Sequence, residues 1–238
     1  MFAFKQFAIH QDRTAMKVCT DACVLGAYAN VTGAEPGGRV MRLLDIGTGT
    51  GLLALMAAQR NVTAIIDAVE VDDAAFAQAT ENVTESPFAA RITVIHNRIQ
   101  NFARDVTYDR ILTNPPFYTN HLRSPDAAVN RALHTDELPV DDLIDAIVRL
   151  LKSDGQWWIL LPPDETEKLI EQAAHKGLFP FEKLSLRHNH HKPSFRVVTG
   201  FSLVNGPVTR QTLTIYEEDN RTYTDDFCAL LRDFYLIF

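Results

Sequence analysis

The chain has no run of about 18 uncharged apolar residues, the least that a membrane-spanning helix needs, so no membrane segment is expected. It is poor in cysteine: three among 238 residues, an odd number that argues against a secreted disulfide scaffold. Cys19 and Cys23 stand one helical turn apart, but no second pair with zinc spacing lies near them. They read as small buried side chains, and no metal is expected. Positive charge is not in excess either; a net charge of −7 argues against a protein that binds nucleic acid through its overall field. The first residues, MFAFKQFAIHQDRTAMKV, lack the apolar block and small-residue cleavage site of a signal peptide. Internal repeats and low-complexity segments are missing too. The expectation is a cytoplasmic protein with no membrane, no metal and no obligate protein partner.

What is present is ordinary globular composition, 46% apolar and 22% charged, with enough chain for one sizeable core. From Val40 onward, apolar runs alternate with segments of helical period. VMRLLDI, AIIDAVEV, RITVIH, YDRILT and GQWWILLP read as strands. GLLALMAAQR, DAAFAQATENV, PVDDLIDAIVRLLK and DETEKLIEQAAHKG read as helices. Strands alternating with helices indicate an α/β fold with a doubly wound, mostly parallel sheet covered on both faces. After residue 178 the rhythm changes: strands near 181–188 and 196–205 have no helix between them, which predicts an antiparallel edge pair. The end, TDDFCALLRDFYLIF, suits a packed helix. Residues 1–238 read as one domain, with 1–38 an extension packed on or over the active face. Trp157 and Trp158 fall in a strand pattern and are expected to pack in the sheet.

Two motifs carry chemistry. LLDIGTGTGLLAL sets Asp45, Gly47, Thr48, Gly49 and Gly51 between a strand and a helix, where glycines permit a sharp turn and close approach of a ligand. The dinucleotide fingerprint wants glycine at its sixth position, which here is Leu52. The next strand ends in VEVD, placing Glu70, followed by Val71, where a carboxylate can accept both hydroxyls of a ribose. A nucleoside-containing ligand follows, and the glycine spacing favours S-adenosylmethionine over a dinucleotide. The second motif, ILTNPPFYTN, ends the fourth strand of the series. Pro115 and Pro116 stiffen the turn, and the residue before a proline is held extended. Asn114 and the Pro115 carbonyl then form a pair of acceptors suited to a planar –NH2 with two donors. Phe117 offers a flat face for a purine. Such a device serves methyl transfer to a conjugated amine, whose nucleophilicity rises when its protons are held.

Together LLDIGTGTG, VEVD and NPPF resemble the seven-stranded S-adenosylmethionine-dependent methyltransferases that modify amino groups. FKQFAIHQDRTAMKVCTDACVLGAYA and the terminal FYLIF narrow this to the bacterial valine-tRNA adenine-37 N6-methyltransferase family, which the chain resembles nearly end to end. The resemblance implies methylation of the N6 amine of an adenine in a tRNA anticodon loop. It makes Asn114, Pro115, Pro116 and Phe117 the catalytic turn, and assigns the glycine loop, Glu70 and Val71 to the cofactor. It also brings Lys17, Thr20 and Asp21 near the cofactor or active mouth. Asn97 and Arg98 stand where an acidic residue usually meets the cofactor adenine, a departure from the family pattern. KLSLRHNHHKPSFR has four basic residues, Lys183, Arg187, Lys192 and Arg196, and no acid, and becomes a candidate RNA contact. His188, His190 and His191 lack a partner cluster and are expected to be neither catalytic nor metal ligands. The rival readings are a glutamine-N5 methyltransferase of release factors, which faces the same amide chemistry, and a non-catalytic cofactor-binding protein. A DNA adenine methyltransferase fits less well, because no inserted target-recognition segment is visible.

Overall fold

The computed structural model describes residues 1–14, 16–32, 38–103, 105–115 and 138–238. Two short strands, β1 (Phe2–Ala3) and β2 (Ala8–Ile9), pair antiparallel ahead of helix α1 (Thr20–Tyr28). The alternating portion runs β3 (Arg42–Ile46), α2 (Leu52–Arg60), β4 (Ile65–Glu70), α3 (Asp73–Thr84), β5 (Ile92–His96) and β6 (Tyr108–Thr113). It continues with α4 (Val140–Leu150), β7 (Leu151–Leu161) and α5 (Pro163–Ala174). Strands β8 (Phe179–Arg187), β9 (Ser194–Ser202) and β10 (Thr209–Thr214) and helix α6 (Asp225–Leu231) complete it.

Local chemistry explains the helix starts. Asp72 caps α3 by accepting from Ala75 N at 2.8 Å, and Thr224 caps α6 by accepting from Phe227 N at 3.3 Å. Pro163 opens α5, where a missing N–H costs nothing, with Asp164 and Glu165 in the first turn of its dipole. Helix α1 is different. Six consecutive residues, Ala22 to Ala27, are buried, so it has no polar face and no helical period to read. Gly26 lets it lie against α2: a Cβ there would stand 2.5 Å from Met56 Sδ.

Eight strands form one sheet in the order β10-β8-β9-β7-β6-β3-β4-β5. The neighbours from β5 to β7 are parallel, and β9 is antiparallel to both β7 and β8. This is the α/β, mostly parallel architecture expected. The antiparallel pair lies one strand in from the edge, because β10 adds an eighth strand parallel to β8. β10 escaped the sequence reading because Thr209 to Thr212 are exposed and polar, leaving no apolar alternation to detect.

Successive residues of the central strands enter opposite cores. Leu43, Leu112 and Trp158 join the face covered by α1, α2 and α6, whereas Leu44, Ile111 and Trp157 join the face covered by α4 and α5. The N-terminal strands belong to the first core through Phe4, Phe7 and Ile9. Phe4 bridges Tyr235, and Lys5 Nζ donates to the Phe238 carbonyl at 2.8 Å, so the two ends of the chain close on each other. Among the described residues no helix is long and apolar enough to cross a membrane.

Candidate active site

The strand order creates a switch point. The chain leaves β3 for β4 and β5 on one side, then returns to place β6 on the other, which opens a crevice at the carboxyl ends of β3 and β6. Ile46 pairs with Thr113, so Gly47 leaves β3 level with Asn114 leaving β6. Ile46 also pairs with Val69, and Glu70 with His96, which sets Glu70 level with Gly47 and leaves Asn97 one position beyond that row.

The glycine loop needs its glycines. Gly47, Gly49 and Gly51 have φ of 67°, 58° and 84°, a region that side chains disfavour. A Cβ on Gly47 would meet nothing within 4 Å, and one on Gly49 only the Gly47 carbonyl at 4.0 Å. That open space lies over the loop, where a ligand would sit. Gly51, in contrast, packs close to Ala79 of α3. The loop is tied down from below. Gly47 N and Thr48 N both donate to the Val69 carbonyl, at 2.9 and 3.1 Å. Thr48 Oγ1 and Ala54 N donate to Asp45 Oδ2 at 2.6 and 3.1 Å. Asp45 is 1% exposed and its Oδ1 has no hydrogen-bond partner among the described residues. Burial pushes its carboxyl up to about 7, against the lowering effect of those two donors and with a further rise from nearby Glu70.

Glu70 closes the other side. Its carboxylate accepts from Gly49 N at 2.8 Å, Val71 N at 2.8 Å and Asp72 N at 3.0 Å. Asn97 N donates to the Glu70 carbonyl at 2.9 Å, and Arg98 is exposed. Beyond the crevice, Asn114 is half-buried, but its Oδ1 is fully covered and accepts no hydrogen bond among the described residues. An acceptor held in that condition costs about 1–3 kcal/mol until a donor arrives. Pro115 is described; Pro116 and Phe117 lie outside the described residues.

Sequence reasoning missed several supports. Trp157 Nε1 donates to Thr113 Oγ1 at 3.0 Å in the core, directly behind Asn114. Asn82 of α3 accepts from His10 N at 2.8 Å and donates to the carbonyls of His10 and Thr50, at 2.9 and 2.8 Å. It thereby clamps the N-terminal segment to the glycine loop. Gln78, wholly buried, accepts from Arg13 N at 3.3 Å. A buried amide in a helix is a signal available in sequence only as a polar break in an apolar stripe.

The other predicted residues fall on the same sheet edge but are differently engaged. Lys17 is exposed. Thr20 begins α1, and Asp21 pairs with Arg196 Nε at 3.0 Å, which joins a predicted cofactor residue to a predicted RNA residue. Lys183 pairs with Glu167 at 2.8 Å. Arg187 donates to Thr214 Oγ1 at 2.8 Å, and Lys192 is exposed. Cys19, Cys23 and Cys228 are free thiols, and burial pushes the first two up to about 12. Among the described residues no group of three or more His, Cys, Asp or Glu could hold a metal ion.

Comparison with known proteins agrees with this geometry. Residues 34–174 match the methyltransferase small domain family. The chain is 48% identical to a tRNA1(Val) (adenine(37)-N6)-methyltransferase of Dyadobacter fermentans over 100% of its own length and 98% of that protein's. A protein of the same name from Trichodesmium erythraeum is 42% identical over 99% of this chain and 97% of its own. The chain belongs to this methyltransferase family. Among solved structures, a predicted O-methyltransferase from Agrobacterium tumefaciens superposes with a TM-score of 0.69 at 18% identity, covering 90% of this chain and 96% of that one. That likeness shows the class I methyltransferase fold and no more. In this chain the glycine loop and Asn114 leave the neighbouring strands β3 and β6 at the same level.

Proposed function

We propose that the protein transfers a methyl group from S-adenosylmethionine to the exocyclic N6 amine of an adenine in tRNA. The family relatives carry names that specify position 37 of a valine tRNA, and we assign the same target, reached in the cytoplasm as an exposed anticodon-loop base. One observation carries the reading: a covered, unpartnered amide oxygen on Asn114, level with a glycine loop whose positive-φ positions leave room for a ligand.

The residues fit the cofactor. Gly47 and Gly49 admit it without a Cβ in the way, Glu70 stands where ribose hydroxyls would exchange for backbone donors, and Asp45 Oδ1 is an acceptor in waiting. Val71, Asn97 and Arg98 are assigned to the position of its base, since Asn97 N is tied to the Glu70 carbonyl. Thr48 and Gly51 shape the loop, and Lys17, Thr20 and Asp21 border the mouth. When bound, S-adenosylmethionine supplies a sulfonium-borne methyl group.

The rest is the work of the chain. Asn114 Oδ1 accepts one amine proton and the Pro115 carbonyl the other, which holds the nitrogen in place and favours the positive charge that grows on it. Dense packing behind Thr113, through Trp157, keeps that acceptor from relaxing. No strong general base is needed, because the alkylated nitrogen is acidic and gives its proton to solvent. Pro116 and Phe117, outside the described residues, are assigned to the same motif, with Phe117 as a stacking face for the adenine. Lys192 and Arg187 offer attraction to RNA phosphates, with Lys183 and Arg196 partly neutralised by Glu167 and Asp21.

The test is methyl transfer from labelled cofactor to total tRNA, a release factor and duplex DNA side by side, with mass spectrometry of the tRNA nucleosides. Label in N6-methyladenosine of tRNA alone is the expected result; label in the release factor's glutamine would replace this reading with its nearest rival.

A further inference from the structure

The β8–β9 hairpin carries an arrangement that neither the cofactor crevice nor the catalytic turn uses. His188 and Phe195 stack with ring centroids 4.2 Å apart and planes 5° from parallel. Phe195 is half-buried against the main core, whereas His188 is exposed. With one face on Phe195, the exposure of His188 belongs to its opposite face and edge. The ring pair is firmly mounted. The His188 carbonyl accepts from Tyr216 N at 2.8 Å, and Asn189, 4% exposed, has its Oδ1 accepting from His191 N at 2.9 Å. Cations surround it: the Arg196 guanidinium lies 5.8 Å from the Phe195 ring centre, and Arg187 meets His190 Nδ1 at 2.8 Å. From Lys183 to Arg196 the segment has no acidic residue, although His191 faces Glu218 at 3.8 Å beside it.

Register fixes where this stands. Leu161 of β7 pairs with Val197, and Ser194 with Arg187, so the hairpin turn emerges at the same carboxyl edge as Asn114. His188 follows β8, three positions from β6 in the sheet, a lateral distance of about 14 Å, and its backing ring Phe195 lies on β9, one position nearer. We propose that His188, backed by Phe195, is a stacking ledge for the nucleotide that flanks the target base. An extruded base leaves its neighbours unstacked, and a flat ring at the crevice rim recovers that stacking while Arg187 and Lys192 meet the phosphates. An exposed flat ring beside Arg187 and Lys192 suits an RNA base, whose attached phosphates those cations can meet. The ledge rests on the RNA-methylating reading above.

The experiment uses the full chain with an anticodon stem-loop RNA carrying 2-aminopurine beside the target adenine. Binding to the parent protein quenches the fluorophore; His188→Ala abolishes that quenching, raises KM for the RNA about fivefold or more, and leaves kcat and the salt slope within twofold. His188→Phe restores both quenching and KM, since it keeps the ring without the ring nitrogens. An active parent with the same KM and quenching in His188→Ala overturns the ledge alone, as does His188→Phe behaving like the alanine variant. A parent that methylates a release factor and no RNA overturns the underlying reading and the ledge with it.

Discussion

The two edges of the sheet treat a buried carboxyl group in opposite ways. At the amino-terminal edge, Asp109, 1% exposed, receives Arg39 Nη2 at 2.8 Å, Lys152 Nζ at 2.7 Å and Arg42 N at 2.7 Å. At the carboxyl edge, Asp45 is equally buried, yet one of its oxygens is left unpartnered among the described residues, as is Asn114 Oδ1. The backbone follows the same division. Three alternating glycines adopt positive φ at the carboxyl edge. One edge spends its polar groups on holding strands β3, β6 and β7 together. The other keeps acceptors desolvated and waiting, which costs stability and prepares a site.

Breaking that contrast at its sharpest point means removing the waiting acceptor. Asn114→Ala is expected to lower methyl transfer at least ~100-fold, on the scale of losing one preorganised transition-state contact. Its melting temperature should stay within about 2 °C, because Oδ1 accepts no hydrogen bond among the described residues. A variant that melts much lower would make Asn114 a structural residue. The opposite edge should invert the pattern. Asp109→Asn removes the buried negative charge that Arg39 and Lys152 both meet and should lower the melting temperature by on the order of 10 °C. Turnover per folded molecule should stay within about twofold of the parent.

Asp45 provides a finer comparison through pH. Burial holds its folded carboxyl up to about 7, well above the ordinary aspartate range. The native state therefore binds this proton more tightly than the unfolded chain. The stabilisation is complete below about pH 4 and is lost as pH rises through about 7. Asp45→Asn removes this dependence, so the melting-temperature difference, variant minus parent, should grow by a few degrees between pH 5 and pH 8. Circular dichroism melts at the two pH values read it, and a difference that stays flat would show that burial does not dominate at Asp45. The smallest effect is expected outside the crevice: Lys192→Glu should weaken RNA binding a few-fold and reduce the salt slope by about 1, as measured by titration across a salt series.

Much of this was visible along the chain. The glycine loop, Glu70 and Asn114 were identified as site candidates from residue types and spacing alone, because local sterics act between sequence neighbours. The strand read over 108–113 has those same bounds in the structure, and the helix read over 73–83 ends one residue later. Failures share a cause. Helix α1 has no polar face to create a period, and β10 has hardly any apolar positions to create an alternation. The basic stretch shows no acid along the chain because the acids that meet it, Glu167 and Asp21, come from distant segments. Asn82 looked like an ordinary helix residue because its partners, His10 and Thr50, are 72 and 32 positions away.

The sequence by itself determined the αβ rhythm, the three glycine positions that accept positive φ, and the restriction that Pro115 places on Asn114, since each depends on a few adjacent residues. Tertiary structure alone decided that β6 returns beside β3, that Glu70, Gly47 and Asn114 share one row, and which charges stay unspent. Those outcomes depend on which surfaces meet and on how completely water is removed between them, and neither is written in local periodicity.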